Sequence, residues 1–430
     1  MVAMMVGAVL IVPASGLRLA CAGASCDSDG SQASGPVPYC SLPAETRRLI
    51  TAGFYDGRSP EVLGVTSVAD AVSLERSDLV WPSVDTDDRV PLVFAGDGLH
   101  AAGPLPAGTR VDRIAPTLAR SLRFERPYPM LERTEPIEEV TTKRTPRLVV
   151  EVGLKGIGTR DLEAAPQAWP SIAGMMRDGV GTLEASVGST PLDPAAVLTT
   201  IGTGSQPSEH GITGTWIRDW DGRMVSAWSQ GSPVSAIATL AEDFDQRTDQ
   251  QPLVGLIAGA STDRGLIGGD WYVGHDRDVL VREPKSRSIV QRALRITAAE
   301  GLGDDPVSDV LGVVLDGSIG EVDRSLGRLV DGVRAIVDAP VLFAVVGTGS
   351  LTGTTTLGSA DVEQVVRSSV GDVLEGQVPG GVFVDGDRLA SAGATRQDVR
   401  DALMALVDES GGAVMADAFL SYSVSFGDYC

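Results

Sequence analysis

Short runs of apolar residues, without polar residues at every second position, recur along the chain. They are Val62–Thr66, Val90–Ala95, Leu148–Val152, Leu253–Ala258, Val310–Leu315 and Val341–Val346. A strand that is buried on both faces carries such a continuous run, whereas a half-exposed strand alternates apolar and polar residues. The six runs therefore predict strands of a parallel sheet that is covered on both faces.

Amphipathic segments lie between several of these runs. In Val322–Asp338 the apolar residues recur at helical spacing, and Gln397–Asp408 shows the same pattern. Strands that alternate with helices predict an α/β fold, here a doubly wound, mainly parallel sheet sandwiched by helices. We further expect a small inserted α+β subdomain in residues 353–430.

Two segments are typical of connections. Ser28–Pro38 is rich in Ser, Gly and Pro, which predicts a linker, and Glu132–Pro146 is charged, with prolines near both ends, which predicts a surface tether. The chain then divides into an N-terminal segment with its linker (1–45), a first part of the core (46–131), the tether, and a second part of the core (147–430).

Composition and charge restrict the function further. The 430 residues are 43% hydrophobic and 21% charged, which is typical of a globular protein with a sizeable core. Lys and Arg number 35 against 57 Asp and Glu, so the formal net charge is -22. A charge of this sign repels phosphate backbones, and we expect no nucleic-acid partner. The three histidines, His100, His210 and His275, limit any histidine-rich metal site.

The N-terminus leaves two interpretations open. Val2–Pro13 is apolar but shorter than the roughly 20 residues of a membrane span, and no other stretch is long enough, so we expect no transmembrane span. The segment resembles the apolar region of a secretory signal, yet no Lys or Arg precedes it. A buried strand is the alternative. We favour an exported or cell-surface location over the cytoplasm.

The four cysteines follow no zinc-ligand spacing, and no histidine lies near them in the sequence. They are Cys21, Cys26, Cys40 and Cys430. The sequence is consistent with two disulfide bonds and equally with unreacted thiols.

Several motifs resemble those of one family. Residues 148–162 read LVVEVGLKGIGTRDL, and residues 203–212 carry a TG-x-x-P-x-x-HGI pattern. These are similar to the opening of the alkaline phosphatase superfamily, in its type I phosphodiesterase/nucleotide pyrophosphatase branch. Arg58–Thr66, Asp85–Leu99 and Gly108–Pro129 are similar to the closing part of the same family. Because the closing part comes first here, the resemblance implies a circular permutation, or alternatively a tandem pair whose first copy has lost its front half.

The resemblance also implies what the site should contain. Members of the family hold two metal ions, usually zinc, with Asp and His ligands. The family's first Asp ligand corresponds to Val152, and its Ser-Asp-His-Gly corresponds to Gly347–Ser350, so these ligands are missing. His210 lies in the HGI turn, where the family uses it structurally. The resemblance therefore implies a degenerate metal site.

Few candidates for chemistry remain. Thr190 is nearest to the family's nucleophile position, with Ser189 beside it, and a turn residue before Pro191 is the alternative interpretation. Asp316 and His275 are the candidate metal ligands. Asp193 and Pro194 are typical of a helix start, with Pro at the first helical position.

Three functions follow from these residues. We favour a non-catalytic protein of the alkaline-phosphatase-like class that acts in binding or assembly, with a protein partner or a small ligand and no cofactor. The alternative is an active phosphoric-ester hydrolase with two zinc ions and a rearranged site around Thr190, Asp193, Asp316 and His275. The third is a structural partner of an active paralogue.

Overall fold

The computed structural model describes residues 39–68, 71–72, 79–127, 134–269, 271–272, 279–353, 355–357 and 362–425. Val2–Pro13, Ser28–Pro38 and His275 lie outside the described residues, as do Cys21, Cys26 and Cys430, so the expectations for them stay predictions. Cys40 is disulfide-bonded, which excludes an unreacted thiol at this position. No helix in the described ranges is long and apolar enough to cross a membrane.

The elements of the described part are numbered in chain order. The strands are β1 (Val62–Thr66), β2 (Ala71–Val72), β3 (Val80–Trp81), β4 (Arg89–Gly96), β5 (Gly103–Pro104), β6 (Leu148–Leu154), β7 (Val180–Ser186), β8 (Trp216–Arg218), β9 (Met224–Ser226), β10 (Val254–Ala258), β11 (Val279–Arg282), β12 (Asp309–Leu315), β13 (Val341–Gly347), β14 (Thr355–Thr356), β15 (Leu374–Val378), β16 (Gly381–Val384) and β17 (Met415–Leu420). The α-helices are α1 (Ala44–Gly53), α2 (Ile114–Leu122), α3 (Thr159–Ala164), α4 (Pro170–Asp178), α5 (Pro194–Thr203), α6 (Pro207–His210), α7 (Leu240–Arg247), α8 (Ser286–Glu300), α9 (Ile319–Ile336), α10 (Val362–Ser369), α11 (Gly386–Ser391), α12 (Arg396–Leu403) and α13 (Ser421–Ser425).

The main sheet has eight strands in the order β11-β10-β12-β6-β13-β4-β7-β5. Only β4 runs antiparallel to its neighbours, and the other neighbouring strands are parallel. Every residue of β6, β12 and β13 is buried, because helices cover both faces of the sheet. The predicted α/β fold with a mainly parallel sheet is confirmed.

The two faces of this sheet belong to two apolar cores. Helices α2, α5 and α7 cover one face, and α4, α8 and α9 cover the other. Successive side chains of β6 point alternately to the two cores: Val149 lies in the first, and Val150 and Val152 lie in the second. The continuous apolar run of β6 is therefore a direct consequence of burial on both sides.

The two predicted helices are present with shifted ends. Helix α9 begins before Val322, because the Ser318 hydroxyl and amide bond the Glu321 carboxylate and complete a capping box. Helix α12 ends at Leu403, five residues before the predicted end. Asp408 instead begins a turn, where its carboxylate accepts hydrogen bonds from the Ser410 and Gly412 amides.

A second sheet has the order β15-β16-β1-β17 and is antiparallel throughout. The prediction that Val62–Thr66 belongs to the parallel sheet is wrong, because this run forms β1 in the second sheet. It lacks alternation because Val62 faces one small core and Leu63 and Val65 face another. Residues 353–430 supply β15–β17 and α10–α12 of an α+β unit, but the early part of the chain supplies β1, one of the two inner strands of its sheet.

Residues 134–146 connect α2 to β6, but they do not form a loose surface tether. Ile137 and Val140 are fully buried in the core beside α2. Arg120 donates hydrogen bonds to the carbonyl oxygens of both residues, and Arg113 donates to the carbonyl of Glu135. Arg120 thereby satisfies two backbone carbonyls that burial would otherwise leave without partners.

Candidate functional site

The carboxyl ends of β6 and β13 meet at one edge of the main sheet, which is where α/β proteins place their sites. The loops that follow these strands are bonded to each other. The Thr348 amide donates to the Leu154 carbonyl over 3.1 Å, and the Gly156 amide donates to the Thr348 hydroxyl over 2.8 Å. Thr348 is fully buried. It therefore holds the two loops together at the position where the family resemblance places a metal ligand.

An ion pair between Lys155 and Asp263 lies at the same edge. Lys155 directly follows β6, and Asp263 lies in the 3-10 helix Ser261–Leu266 that follows β10. The Lys155 Nζ is 2.6 Å from the Asp263 Oδ1, and the Asp263 Oδ2 accepts a hydrogen bond from the Ala260 amide. Sequence reasoning missed this pair, although a lysine immediately after a buried strand is a visible signal.

Asp193 caps the N-terminus of α5. Its Oδ1 accepts hydrogen bonds from the Ala195 amide over 2.9 Å and from the Thr215 hydroxyl over 3.0 Å. Burial raises the pKa of this carboxyl, while the hydrogen bonds from Thr215 and Ala195 and the charge of Lys155 act in the opposite direction. The predicted helix start at Asp193 and Pro194 is confirmed, and the carboxylate is committed to holding the helix terminus.

Thr190 lies on the loop that enters α5, packed against α1. Its amide donates to the Leu49 carbonyl over 3.1 Å, and Gly53 approaches its carbonyl so closely that a Cβ there would lie 2.0 Å from the oxygen. Thr190 is 4% exposed, and its hydroxyl is buried without a hydrogen-bond partner. Ser189 is also buried. The Thr190 hydroxyl is therefore buried and makes no hydrogen bond within the protein.

The Thr190 pocket, as we call it, is a small cavity of about 30 Å³ that lies between the N-terminus of α5 and the second sheet. Thr213 also lines it, and its hydroxyl is likewise buried without a partner. Asp193 is the only ionisable side chain in the lining, as far as the described residues go. Ser59 lines it as well, and the remaining walls are mainly apolar, with Ile50, Phe54, Leu63, Val65, Val378 and Phe419.

The structure brings Thr190 and Asp193 together in one pocket, but it places Asp316 elsewhere. Asp316 is exposed at the end of β12 and lines a separate, open groove with Lys285, Arg287 and Arg324. Val152 is fully buried in the core beside α4 and α9, away from α5. The loop after β13 does reach the Thr190 loop, since Ser350 and Thr190 line one small cavity.

His210 has a structural position. The side chain is fully buried, its Nδ1 accepts a hydrogen bond from the Ile212 amide, and its Nε2 donates to the Thr200 hydroxyl, each over 3.1 Å. Burial, reinforced by the nearby Arg58 charge, lowers the pKa of this imidazole to about 3. The ring is neutral, and both nitrogens are occupied. His100 is exposed in the loop after β4.

Glu151 is a buried acid that sequence reasoning also missed. It lies inside β6, between Gly312 of β12 and Ala344 of β13, and its side chain points to the α5 face of the sheet. Its Oε2 has no hydrogen-bond partner, and burial raises the pKa of the carboxyl to about 8. A single glutamate within the apolar run LVVEV was the available signal.

The donor groups at the sheet edge do not fit a two-metal site. Such a site needs several carboxylate and imidazole groups whose lone pairs converge. Here an ammonium group occupies the edge, Asp263 is paired with it, and Asp193 caps a helix. Within the described ranges, no three His, Cys, Asp or Glu side chains are grouped so that they could hold a metal ion.

Comparisons with known proteins agree with the resemblance. Residues 149–262 match the sequence model of the family described as type I phosphodiesterase/nucleotide pyrophosphatase. This match confirms the predicted resemblance over that part of the chain. No curated protein matches the sequence.

Two solved structures are similar to this chain. A mutant of the alkaline phosphatase PafA is 14% identical, with 60% of this chain and 76% of that chain covered and a TM-score of 0.42. Phosphonoacetate hydrolase from Sinorhizobium meliloti 1021, in complex with phosphonoacetate, is 14% identical over 54% of this chain and 64% of its own, with a TM-score of 0.32. The chain thus spans a little under two thirds of the second structure.

Proposed function

We propose that this chain, in which residues 149–262 match the type I phosphodiesterase/nucleotide pyrophosphatase family, is a non-catalytic member of the alkaline phosphatase superfamily that acts by binding. The observation that carries the proposal is the ion pair of Lys155 and Asp263 at the carboxyl edge of β6. An ammonium group at this edge repels divalent cations, and it pairs with the buried carboxylate of Asp263, which is then not free to bind a metal ion.

The state of Thr190 supports the same conclusion. A threonine hydroxyl is a weak nucleophile unless a base or a metal ion activates it. No Lys, Arg or His lines the Thr190 pocket among the described residues, and the nearest acid in the lining, Asp193, is engaged as a helix cap. Thr190 is therefore positioned to donate or accept a hydrogen bond and lacks the partners of a nucleophile.

We also infer that the chain is a circularly permuted member of the superfamily. The segment that resembles the family's closing part supplies β4, which lies between β13 and β7 and completes the main sheet. Helix α2, from the same segment, packs in the core with α5. Residues 46–131 and 147–430 thus share one core, which is expected if the order of two parts of one domain has been exchanged.

The proposal is tested by assay and elemental analysis of the purified full chain. We expect no release of p-nitrophenol from p-nitrophenyl phosphate or bis(p-nitrophenyl) phosphate above the buffer rate, with zinc, manganese or calcium added. We also expect zinc well below one ion per chain. Stoichiometric zinc, together with turnover that Thr190→Ala abolishes and the neighbouring control Ser189→Ala retains, would establish the active hydrolase instead.

A further inference from the structure

We infer that the open groove between the start of α8 and the N-terminal part of α9 binds a small polyanion, a molecule with two or three phosphate or carboxylate groups. The inference goes beyond the proposed function, because the groove shares no lining residue with the Thr190 pocket and can bind such a ligand in an active or an inactive protein. We call it the α8–α9 groove and define it by the charged side chains that line it: Lys285, Arg287, Asp316, Glu321, Arg324 and Arg328.

Four cations line this groove without a counter-ion. Lys285 and Arg287 lie at the start of α8, and Arg324 and Arg328 belong to α9. All four are exposed, and within the described residues none of them forms an ion pair with an Asp or Glu side chain. Arg218, by contrast, is paired with two glutamates. Because neighbouring positive charges repel each other, and because acids outnumber bases 57 to 35 in this chain, such a group of unpaired cations indicates a ligand that supplies negative charge.

The size of the groove and the spacing of its cations favour more than one anionic group. Its volume of about 700 Å³ lies within the range of pockets that hold small molecules, and a single phosphate ion would fill only a small part of it. Arg324 and Arg328 are four residues apart on α9, so their Cβ atoms are about 5 to 6 Å apart. Each guanidinium presents donors that match the oxygens of a phosphate or carboxylate group. Lys285 and Arg287 supply further cations from the other wall.

The wall formed by α8 is fixed to the loop after β12. Ser286 is buried, and its hydroxyl donates to the Asp316 carbonyl and accepts a hydrogen bond from the Asp316 amide over 3.0 Å. Helix α8 begins at Ser286 without a hydrogen bond from a capping side chain, so the positive end of its dipole adds to the charge of the groove. The cations of the two walls are therefore held on bonded backbone elements.

Two acidic side chains also line the groove and restrict where an anion can lie. The Glu321 carboxylate accepts hydrogen bonds from the Ser318 hydroxyl over 2.8 Å and from the Ser318 amide over 3.3 Å, so it is engaged in the capping box of α9. Asp316 is exposed in the groove. Four cations against two acids leave a surplus of two positive charges, and the charge of Asp316 should weaken the binding of an anion.

Two polyanionic probes test the inference with the full chain. Tripolyphosphate carries phosphate groups, and tricarballylate carries three carboxylate groups. In isothermal titration calorimetry at an ionic strength of about 0.02 M, where screening is weak, we expect at least one of them to bind about tenfold more tightly than orthophosphate. The reason is that each additional anionic group can pair with a further cation. The tighter of the two probes identifies the anionic group as phosphate or carboxylate.

Charge-removing variants assign the binding to the groove. Arg324→Gln with Arg328→Gln should weaken binding of the tighter probe by about tenfold, because two charge-assisted contacts are lost. Arg295→Gln with Arg396→Gln removes the same charge from exposed positions outside the groove, and this control should leave binding unchanged. Asp316→Asn removes a negative charge from the groove and should tighten binding by about two- to threefold.

The outcomes separate this inference from the proposed function. Binding of neither polyanion by the wild type, or binding of orthophosphate as tight as that of both, would overturn the inference even if a variant failed to fold. An equal loss in the groove variant and in the control would overturn it as well, since net charge alone would then account for binding. Hydrolysis of tripolyphosphate would refute the non-catalytic function, and tricarballylate, which has no phosphoanhydride bond, would still decide whether the groove binds a polyanion.

Discussion

The ammonium of Lys155 and the carboxylate of Asp263 are 2.6 Å apart but differ in their access to water. The Lys155 side chain is 21% exposed, whereas the Asp263 side chain is 2% exposed. Removal of the ammonium therefore leaves a buried carboxylate without a counter-ion, while removal of the carboxylate leaves an ammonium that a flexible stem carries toward solvent. The two halves of the pair should respond unequally to mutation.

Lys155→Met should lower the free energy of unfolding by about 2 to 3 kcal/mol, because it leaves the Asp263 charge unpaired. Asp263→Asn should lower it by less, and the double variant should recover part of the loss of Lys155→Met. Urea unfolding followed by tryptophan fluorescence measures these differences. Arg177→Met serves as the control, since the pair of Arg177 and Asp178 is exposed on both sides and should contribute less than about 1 kcal/mol. Equal losses for Lys155→Met and Asp263→Asn would contradict the asymmetry.

Glu151 should make the protein less stable as the pH rises. Burial holds its folded pKa near 8, above the ordinary value of 4.5, so the folded state binds a proton that the unfolded state has released. Below about pH 4.5 Glu151 is protonated in both states, and its contribution to stability is fully present. Between pH 4.5 and pH 8 the free energy of unfolding should fall by about 1.4 kcal/mol per pH unit.

The matched variant for this effect is Glu151→Gln, which cannot ionise. The free energy of unfolding should be measured for both proteins at pH 5, 7 and 9. We expect the advantage of Glu151→Gln over the wild type to grow by several kcal/mol from pH 5 to pH 9, as the linkage above requires. A difference that stays constant with pH would show that Glu151 is not held in its neutral form.

The His210 imidazole should stay neutral in the folded protein well below pH 6. Its folded pKa is about 3 against an ordinary 6.5, so the unfolded state binds the proton first, and stability is lost as the pH falls from 6.5 toward 3. The chain has three histidines, which makes proton NMR of the imidazole signals decisive. In the variant with His100→Gln and His275→Gln, the single remaining signal should not shift between pH 8 and 5. A midpoint near 6.5 would contradict the buried, doubly bonded ring.

The central strands of the fold could be predicted from the sequence, because burial on both faces requires a continuous apolar run in β6, β10, β12 and β13. The apolar run of a strand does not reveal which strand it pairs with or whether the pairing is parallel. Val62–Thr66 and Val90–Ala95 have the same apolar pattern, yet one lies in the second sheet and the other runs antiparallel in the first. Their places depend on pairing with residues more than 200 positions away, which hydropathy does not encode.

Single residues of the candidate site could be predicted from the sequence, but which residues lie next to each other in the site could not. Thr190 and the helix start at Asp193 follow from local motifs around Pro191 and Pro194. Thr213 becomes its neighbour only because the turn after α6 folds back over α5, and Asp263 lies 108 residues from Lys155. Contacts of this kind depend on the packed structure, so spacing along one sequence cannot reveal them.

The closeness of α1 to the Thr190 loop supplies a final prediction. Gly53→Ala would place a Cβ 2.0 Å from the Thr190 carbonyl oxygen and 2.8 Å from its carbon, so the loop or the helix must move. Such overpacking should lower the free energy of unfolding by about 2 to 3 kcal/mol.

Gly174→Ala is the matched control for this substitution. Gly174 lies within α4, and its added Cβ would meet only the flexible end of Arg177 at 3.6 Å. Alanine is the better helix former by about 0.5 to 1 kcal/mol, so this variant should be as stable as the wild type or slightly more stable. If Gly53→Ala were as stable as Gly174→Ala, the tight contact between α1 and the Thr190 carbonyl would be refuted.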